Sequence, residues 1–212
     1  MQTDTIIYLF DPLCGWCYGA APMLERLRID GIRIEALPTG LFSGSGARPM
    51  DAAFASYAWT NDQRIHRLSG QLFSADYRAN VLNRPGSLFD SSAATLAISA
   101  AGLADQNLRL DALRIIQHAR YVDGLDVTSL PVLIDLLDQA GMTSAADLLR
   151  EPTEALFEAN RDLVAKGQQL FRQVRADGVP ALVIDTDKGP HLLNASALFS
   201  NYDNLMAHLK AA

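Results

Sequence analysis

Asp11-Pro12-Leu13-Cys14-Gly15-Trp16-Cys17-Tyr18-Gly19 holds the only two cysteines of the 212-residue chain, and the residues around it decide how they are used. The run before it, Ile6-Ile7-Tyr8-Leu9-Phe10, is β-branched and aromatic and has the length of a buried strand. The run after it, Ala20 to Ile29, reads as a helix with Ala20, Leu24 and Leu27 on one face. The cysteines therefore sit where a strand passes into a helix, Cys14 near the cap and Cys17 in the first turn. Unpaired N–H groups and the positive end of the helix dipole favour a thiolate at Cys14. Cys17 lies one turn further in, within bonding range, and faces the body of the fold. Pro22 follows inside the helix, where it removes a hydrogen bond and predicts a kink.

Composition excludes several classes of function. A hydrophobic content of 49% with 20% charged residues describes a globular chain, long enough to bury a sizeable core as one domain or as a domain with a large insertion. The net charge of −6 gives no electrostatic footprint for nucleic acid or an anionic membrane, so neither is expected as a partner. Met1 to Thr5 lacks a basic region and the apolar run behind it is short, so no secretory signal is read there. No run approaches transmembrane length, and with no cysteine outside the motif there is no structural disulfide framework. A cytoplasmic protein is the expectation. A closed zinc site needs four ligands, and His66, His118, His191 and His208 are scattered without ligand spacing, so no metal is expected.

Taken in order, the chain reads as two strand-bearing ends around a helical block. Ile32 to Leu37 alternates with period two and closes a strand–helix–strand unit over residues 5–37. Ser43-Gly44-Ser45-Gly46 is a linker; no Gly-Lys-Ser/Thr follows it, so it is no phosphate cradle. From Met50 to Leu149 the pattern is helical and uninterrupted by strands. Helices are predicted from Ala52 to Leu68, from Ser91 or Ser92 to Ala101 with Gly102 as the stop, and from Leu108 to Val122. Two more run from Pro131 to Ala140 and from Ala145 to Leu149. The loop around Gly124 carries Asp123 and Asp126. A long helix then opens at Thr153, with Leu156, Ala159, Leu163, Leu170 and Val174 as its stripe, and is expected to end at a left-handed Gly178. Ala181 to Ile184 and His191 to Leu193 form a hairpin around Asp187 to Gly189, and Asn201 caps a terminal helix.

Cys14-Gly15-Trp16-Cys17 with Pro22 eight positions after the first cysteine resembles the thioredoxin superfamily. Without the helical block, the order β-α-β then α-β-β-α is that of a thioredoxin fold. With it, the layout resembles the DsbA family and its cytosolic branch of protein-disulfide isomerases. Asp11-Pro12-x-Cys-x-Trp-Cys, Ala119-Arg120-Tyr121-Val122-Asp123-Gly124 and Gly178-Val179-Pro180 carry the likeness across the chain. The resemblance implies an α/β thioredoxin-like fold with a large all-helical insertion. Residues 1–45 and 150–212 would form the thioredoxin-like domain and residues 46–149 the inserted subdomain.

It also implies roles. Cys14 would be the attacking thiolate and Cys17 the resolving thiol of a thiol–disulfide oxidoreductase acting on protein or peptide disulfides. The bond between Val179 and Pro180 would be cis, turning Val179 toward the cysteines to pair with an extended substrate. Trp16, partly exposed, would be an apolar substrate contact. Asp11 is first a turn former before Pro12, and a candidate proton relay to Cys17 second. No cofactor beyond the redox-active pair is implied, with glutathione a candidate co-substrate. Two other readings stand beside this one. A glutathione-dependent isomerase or transferase of the 2-hydroxychromene-2-carboxylate isomerase or kappa type shares the layout but commonly has serine where Cys14 stands. A non-catalytic chaperone-like module would work without Cys14.

Overall fold

The computed structural model describes residues 5–211; Met1 to Asp4, where no secretory signal is read, lie outside the described residues. Strand β1 (Thr5–Phe10) leads into a short helix α1 (Gly15–Gly19), then α2 (Ala21–Ile29) and β2 (Arg33–Pro38). The expected kink is a break. The chain turns at Ala20, and Pro22 sits in the first turn of α2, where a missing N–H costs nothing. The carbonyl of Tyr18, which Pro22 cannot serve, accepts a hydrogen bond from Gln71 Nε2 at 3.1 Å.

The block between the ends is mostly helical: α3 (Ala52–Ser69), one turn α4 (Ala75–Tyr77) widening into a π turn at Arg78–Leu82, α5 (Ser92–Ala104), α6 (Leu108–Tyr121), α7 (Leu130–Gln139) and α8 (Thr143–Arg150). It is not free of strands. β3 (Arg48–Pro49) pairs antiparallel with β4 (Leu88–Phe89), two residues each, too short to leave a periodic signal. Gly102 does not stop α5 either. It is buried inside the helix, where a side chain would run into Arg109, 2.2 Å from its Nε. Close packing, not a turn, is what this glycine provides.

Helix α9 (Glu154–Gln173), β5 (Ala181–Thr186), β6 (Gly189–Leu193) and α10 (Tyr202–Ala211) complete the chain. The left-handed residue after α9 is Arg175, at φ 53°, rather than Gly178. The hairpin turn has Gly189 at φ 100°, as expected, and Asn201 Oδ1 accepts the Asn204 N–H at the start of α10.

The sheet runs β2-β1-β5-β6, with β1 and β2 parallel and the other pairs antiparallel. β1 is central, which is why its sequence is an unbroken apolar run. Ile6, Tyr8 and Phe10 face one core with the inserted helices, while Ile7 and Leu9 face a second under α9, with Leu163, Leu170 and Val174. The registers Leu9↔Leu37 and Leu9↔Ala181 bring the end of β1 beside the end of β2 and the start of β5. The cysteine motif leaves β1 at this edge.

Candidate active site

Cys14 is the N-cap residue of α1, in extended backbone conformation, and its own N–H is held by the Asp11 carbonyl at 3.1 Å. Its thiol points across the chain ends to the carbonyl of Val179, 3.4 Å away, although the two residues are 165 apart in sequence. The Val179–Pro180 peptide is cis, Pro180 is buried and Val179 is half-buried, so the residues named from sequence on both sides of this contact meet. Cys17 is inside, and both cysteines are unpaired. Burial pushes the Cys17 thiol well up, and the neighbouring Cys14 and the Asp11 charge add to the rise. Both are buried, but Cys14 keeps 7% exposure beside Val179 while Cys17 lies neutral behind it at 1%, the asymmetry that nucleophile and resolving thiol require.

Asp11 is fully buried. Its Oδ1 accepts the Leu13 N–H at 2.9 Å, the turn expected from Asp-Pro, and its Oδ2 accepts the Phe42 N–H at 3.0 Å and the Ser91 hydroxyl at 2.8 Å. Burial raises its carboxyl above the ordinary range, although these bonds and Arg120 pull the other way. The side chain thus anchors the motif to two other parts of the chain.

Trp16 is half-buried, edge-on to Phe199 at 5.1 Å between ring centroids, and Arg64 lies 5.5 Å over its ring. Gly15, the other residue between the cysteines, faces the block. A methyl there would stand 2.6 Å from Asp62 Oδ1 and 3.2 Å from Ile65 Cδ1. A methyl at Gly19, one turn on, would meet Ile65 Cγ2 at 2.4 Å. Two glycines at helical spacing therefore let α3 lie directly against the motif.

Behind the motif is a cluster that sequence reasoning did not assemble. Tyr121 donates its hydroxyl to the Leu13 carbonyl at 2.7 Å and stacks on Tyr18, with ring centroids 4.7 Å apart. Tyr77 donates to Asp62 Oδ2 at 3.0 Å. Arg120 is wholly buried over the rings of Tyr77, Phe89 and Tyr121. Arg120 and Tyr121 fall in a stretch already noted for its family likeness. Asp62 had a signal of its own: the buried face of α3 is Ala55, Asp62 and Ile65, so a carboxylate occupies an apolar stripe, while the aromatic Tyr57 is exposed.

A thioredoxin fold with a helix-capping thiol, a more deeply buried partner thiol and a cis-proline loop beside them defines a thiol–disulfide oxidoreductase. The chain belongs to the DSBA-like thioredoxin domain family, whose model matches residues 5–209. It is similar to the cytosolic disulfide reductase DsbM from Pseudomonas aeruginosa, with 30% identity and a TM-score of 0.84, covering 98% of this chain and all of that one. The same reductase solved with GSH matches with a TM-score of 0.79, also at 30% identity, over 98% of each chain. A 2-hydroxychromene-2-carboxylate isomerase shares the fold alone, at 14% identity and a TM-score of 0.57, over 98% of this chain and 93% of the other. No curated protein sequence matches. Among the described residues, no helix is long and apolar enough to cross a membrane.

Proposed function

We propose that this protein works in the reducing direction, opening protein or peptide disulfides in the cytoplasm, with glutathione returning it to the dithiol. The observation that carries the reading is the Cys14 thiol at the N-terminal end of α1, against the Val179 carbonyl and in front of the buried Cys17. The 30% identity to a cytosolic disulfide reductase, solved in one case with GSH, supports the direction and the co-substrate.

Cys14 thiolate attacks one sulfur of the substrate disulfide. A Cys14–substrate bond forms as the substrate S–S bond breaks, and the second substrate sulfur leaves with the electron pair and takes a proton. Cys17 gives its proton to Asp11, the nearby buried carboxylate, and attacks Cys14, releasing the other substrate thiol and leaving Cys14–Cys17 oxidised. Two glutathione thiols reverse these exchanges and leave as glutathione disulfide. The Val179 backbone aligns an extended substrate as an added strand behind Pro180, and Trp16 meets its apolar groups. Residues 46–149 act as an inserted helical subdomain covering one side of the pair.

The test is equilibration of the full chain in glutathione buffers of graded potential, with free thiols counted after acid quench. A reversible two-electron transition is expected. Cys17→Ser should accumulate a mixed disulfide, and Cys14→Ser should lose all turnover on a disulfide substrate. Cysteines that never pair, or a Cys14→Ser protein that keeps its activity, would replace this reading with the isomerase or the holder of unfolded chains.

A further inference from the structure

Asp62 belongs to the inserted block, yet it is the acidic group that α3 delivers to the cysteine motif. It is only 4% exposed. Its Oδ2 is engaged by the Tyr77 hydroxyl, while its Oδ1 faces Gly15, so close that only a glycine fits between the cysteines at that position. The groups around it come from two other helical elements, Tyr77 from α4 and Arg120 and Tyr121 from α6, while Gly15 at the start of α1, the residue after Cys14, lies against it. Arg120 does not neutralise it outright. That one guanidinium acts on both Asp62 and Asp11, and its Nε and Nη2 have no hydrogen-bond partner among the described residues.

We propose that Asp62 is a positioning residue for the dithiol couple, a carboxyl group held across Gly15 from the first turn of α1, which makes the couple more reducing when it is ionised. The proposal rests on Cys14 as the nucleophile. A negative charge at this place opposes the positive end of α1 and disfavours a thiolate at Cys14. The dithiol state is stabilised through that thiolate, whereas the disulfide carries no charge there, so ionised Asp62 shifts the balance toward the disulfide and makes the protein a stronger reductant. Burial pushes the Asp62 carboxyl up to about 7, which places the change of charge near neutrality. The helical block thereby acts on the chemistry as well as covering it.

The experiment follows the rate of Cys14 alkylation by iodoacetamide from pH 5 to 9 in the full chain carrying Cys17→Ser, so that a single thiol is read. The profile should show a lower inflection near pH 7, from Asp62, beneath the main rise. Asp62→Asn should remove that inflection and raise the thiolate fraction by about twofold at pH 7, where Asp62 is half ionised, rising toward about tenfold near pH 9. In the chain with both cysteines, equilibrated with glutathione at about pH 8.5 where Asp62 is ionised, the balance should move by up to about tenfold toward the oxidising side, about 30 mV for a two-electron couple. Tyr77→Phe deletes a hydrogen bond to the ionised carboxylate and should move the lower inflection to higher pH. It decides the matter should Asp62→Asn fail to fold. A profile unchanged in both variants would reduce Asp62 to a packing residue and overturn the proposal. Alkylation reads Cys14 whether or not the two cysteines cycle, so a failure of the reductase reading is seen separately.

Discussion

Asp11 shows how much one side chain can do beyond its local role. Its turn with Leu13 lies two residues on and is written in Asp-Pro. Its bonds to Phe42 and Ser91 span 31 and 80 residues, so nothing near it in sequence announces them. Three donors converge on two carboxylate oxygens. In Asp11→Asn one of those oxygens becomes an NH₂ group that must face donors, at least one of them left unmatched in a buried place. The variant should lose about 1–3 kcal/mol at neutral pH, read from urea denaturation. Relief of a buried charge opposes this loss. An unchanged or higher urea midpoint would show that the charge, not the hydrogen bonds, dominates at this position.

Elements show where local patterns suffice and where they fail. β1, α1, α2 and the β5–β6 hairpin were legible because strand period, helix face and turn residues all agreed over short stretches. The end of α9 was not. Gly178 looked like the natural left-handed residue, yet the turn is made at Arg175, where the Ala176 N–H donates back to the Phe171 carbonyl at 3.0 Å and closes the helix end. The seat of α3 on α1 was equally hidden, since a glycine inside a C-x-x-C reads as a matter of redox chemistry. Here it is a matter of contact. Gly15→Ala gains less than about 1 kcal/mol of helix propensity. Against that, overpacking against Asp62 and Ile65 costs about 1–3 kcal/mol. A net fall in denaturant midpoint is expected, and a more stable Gly15→Ala protein would mean that α3 gives way freely. Gly15 and Gly19 at helical spacing were the trace of this seam in the sequence, with no partner helix yet known to pair them with.

At the scale of the molecule, the thioredoxin-like layout could be read from the order of elements, and the meeting of Cys14 with Val179 from the resemblance that order and the cysteine motif carry. The buried polar centre could not, since Asp11, Asp62, Tyr77 and the adjacent Arg120 and Tyr121 come from four separate stretches and are assembled only by packing of the helical block on the motif. That centre has a thermodynamic consequence for the whole fold. Burial raises both carboxyl groups, and Asp62 reaches about 7. An unfolded aspartate releases its proton near pH 3.9, so from about pH 4 to about 7 the folded chain retains a proton at Asp62 that the unfolded chain has lost. Stability contributed by that proton is complete at low pH and disappears as the pH rises through the folded value. The sign is opposite to that of an ion-paired carboxylate. The fall is steepest where the two states differ by a whole proton, at most about 1.4 kcal/mol per pH unit. Urea midpoints of the reduced protein at pH 5, 6, 7 and 8 should therefore decline across the first three and then flatten. Asp62→Asn should decline less over the same range, so that the two proteins converge or cross as the pH rises. Parallel curves for the two would mean that Asp62 titrates as an ordinary surface carboxylate, and that Arg120 compensates it far more fully than its unpaired nitrogens indicate.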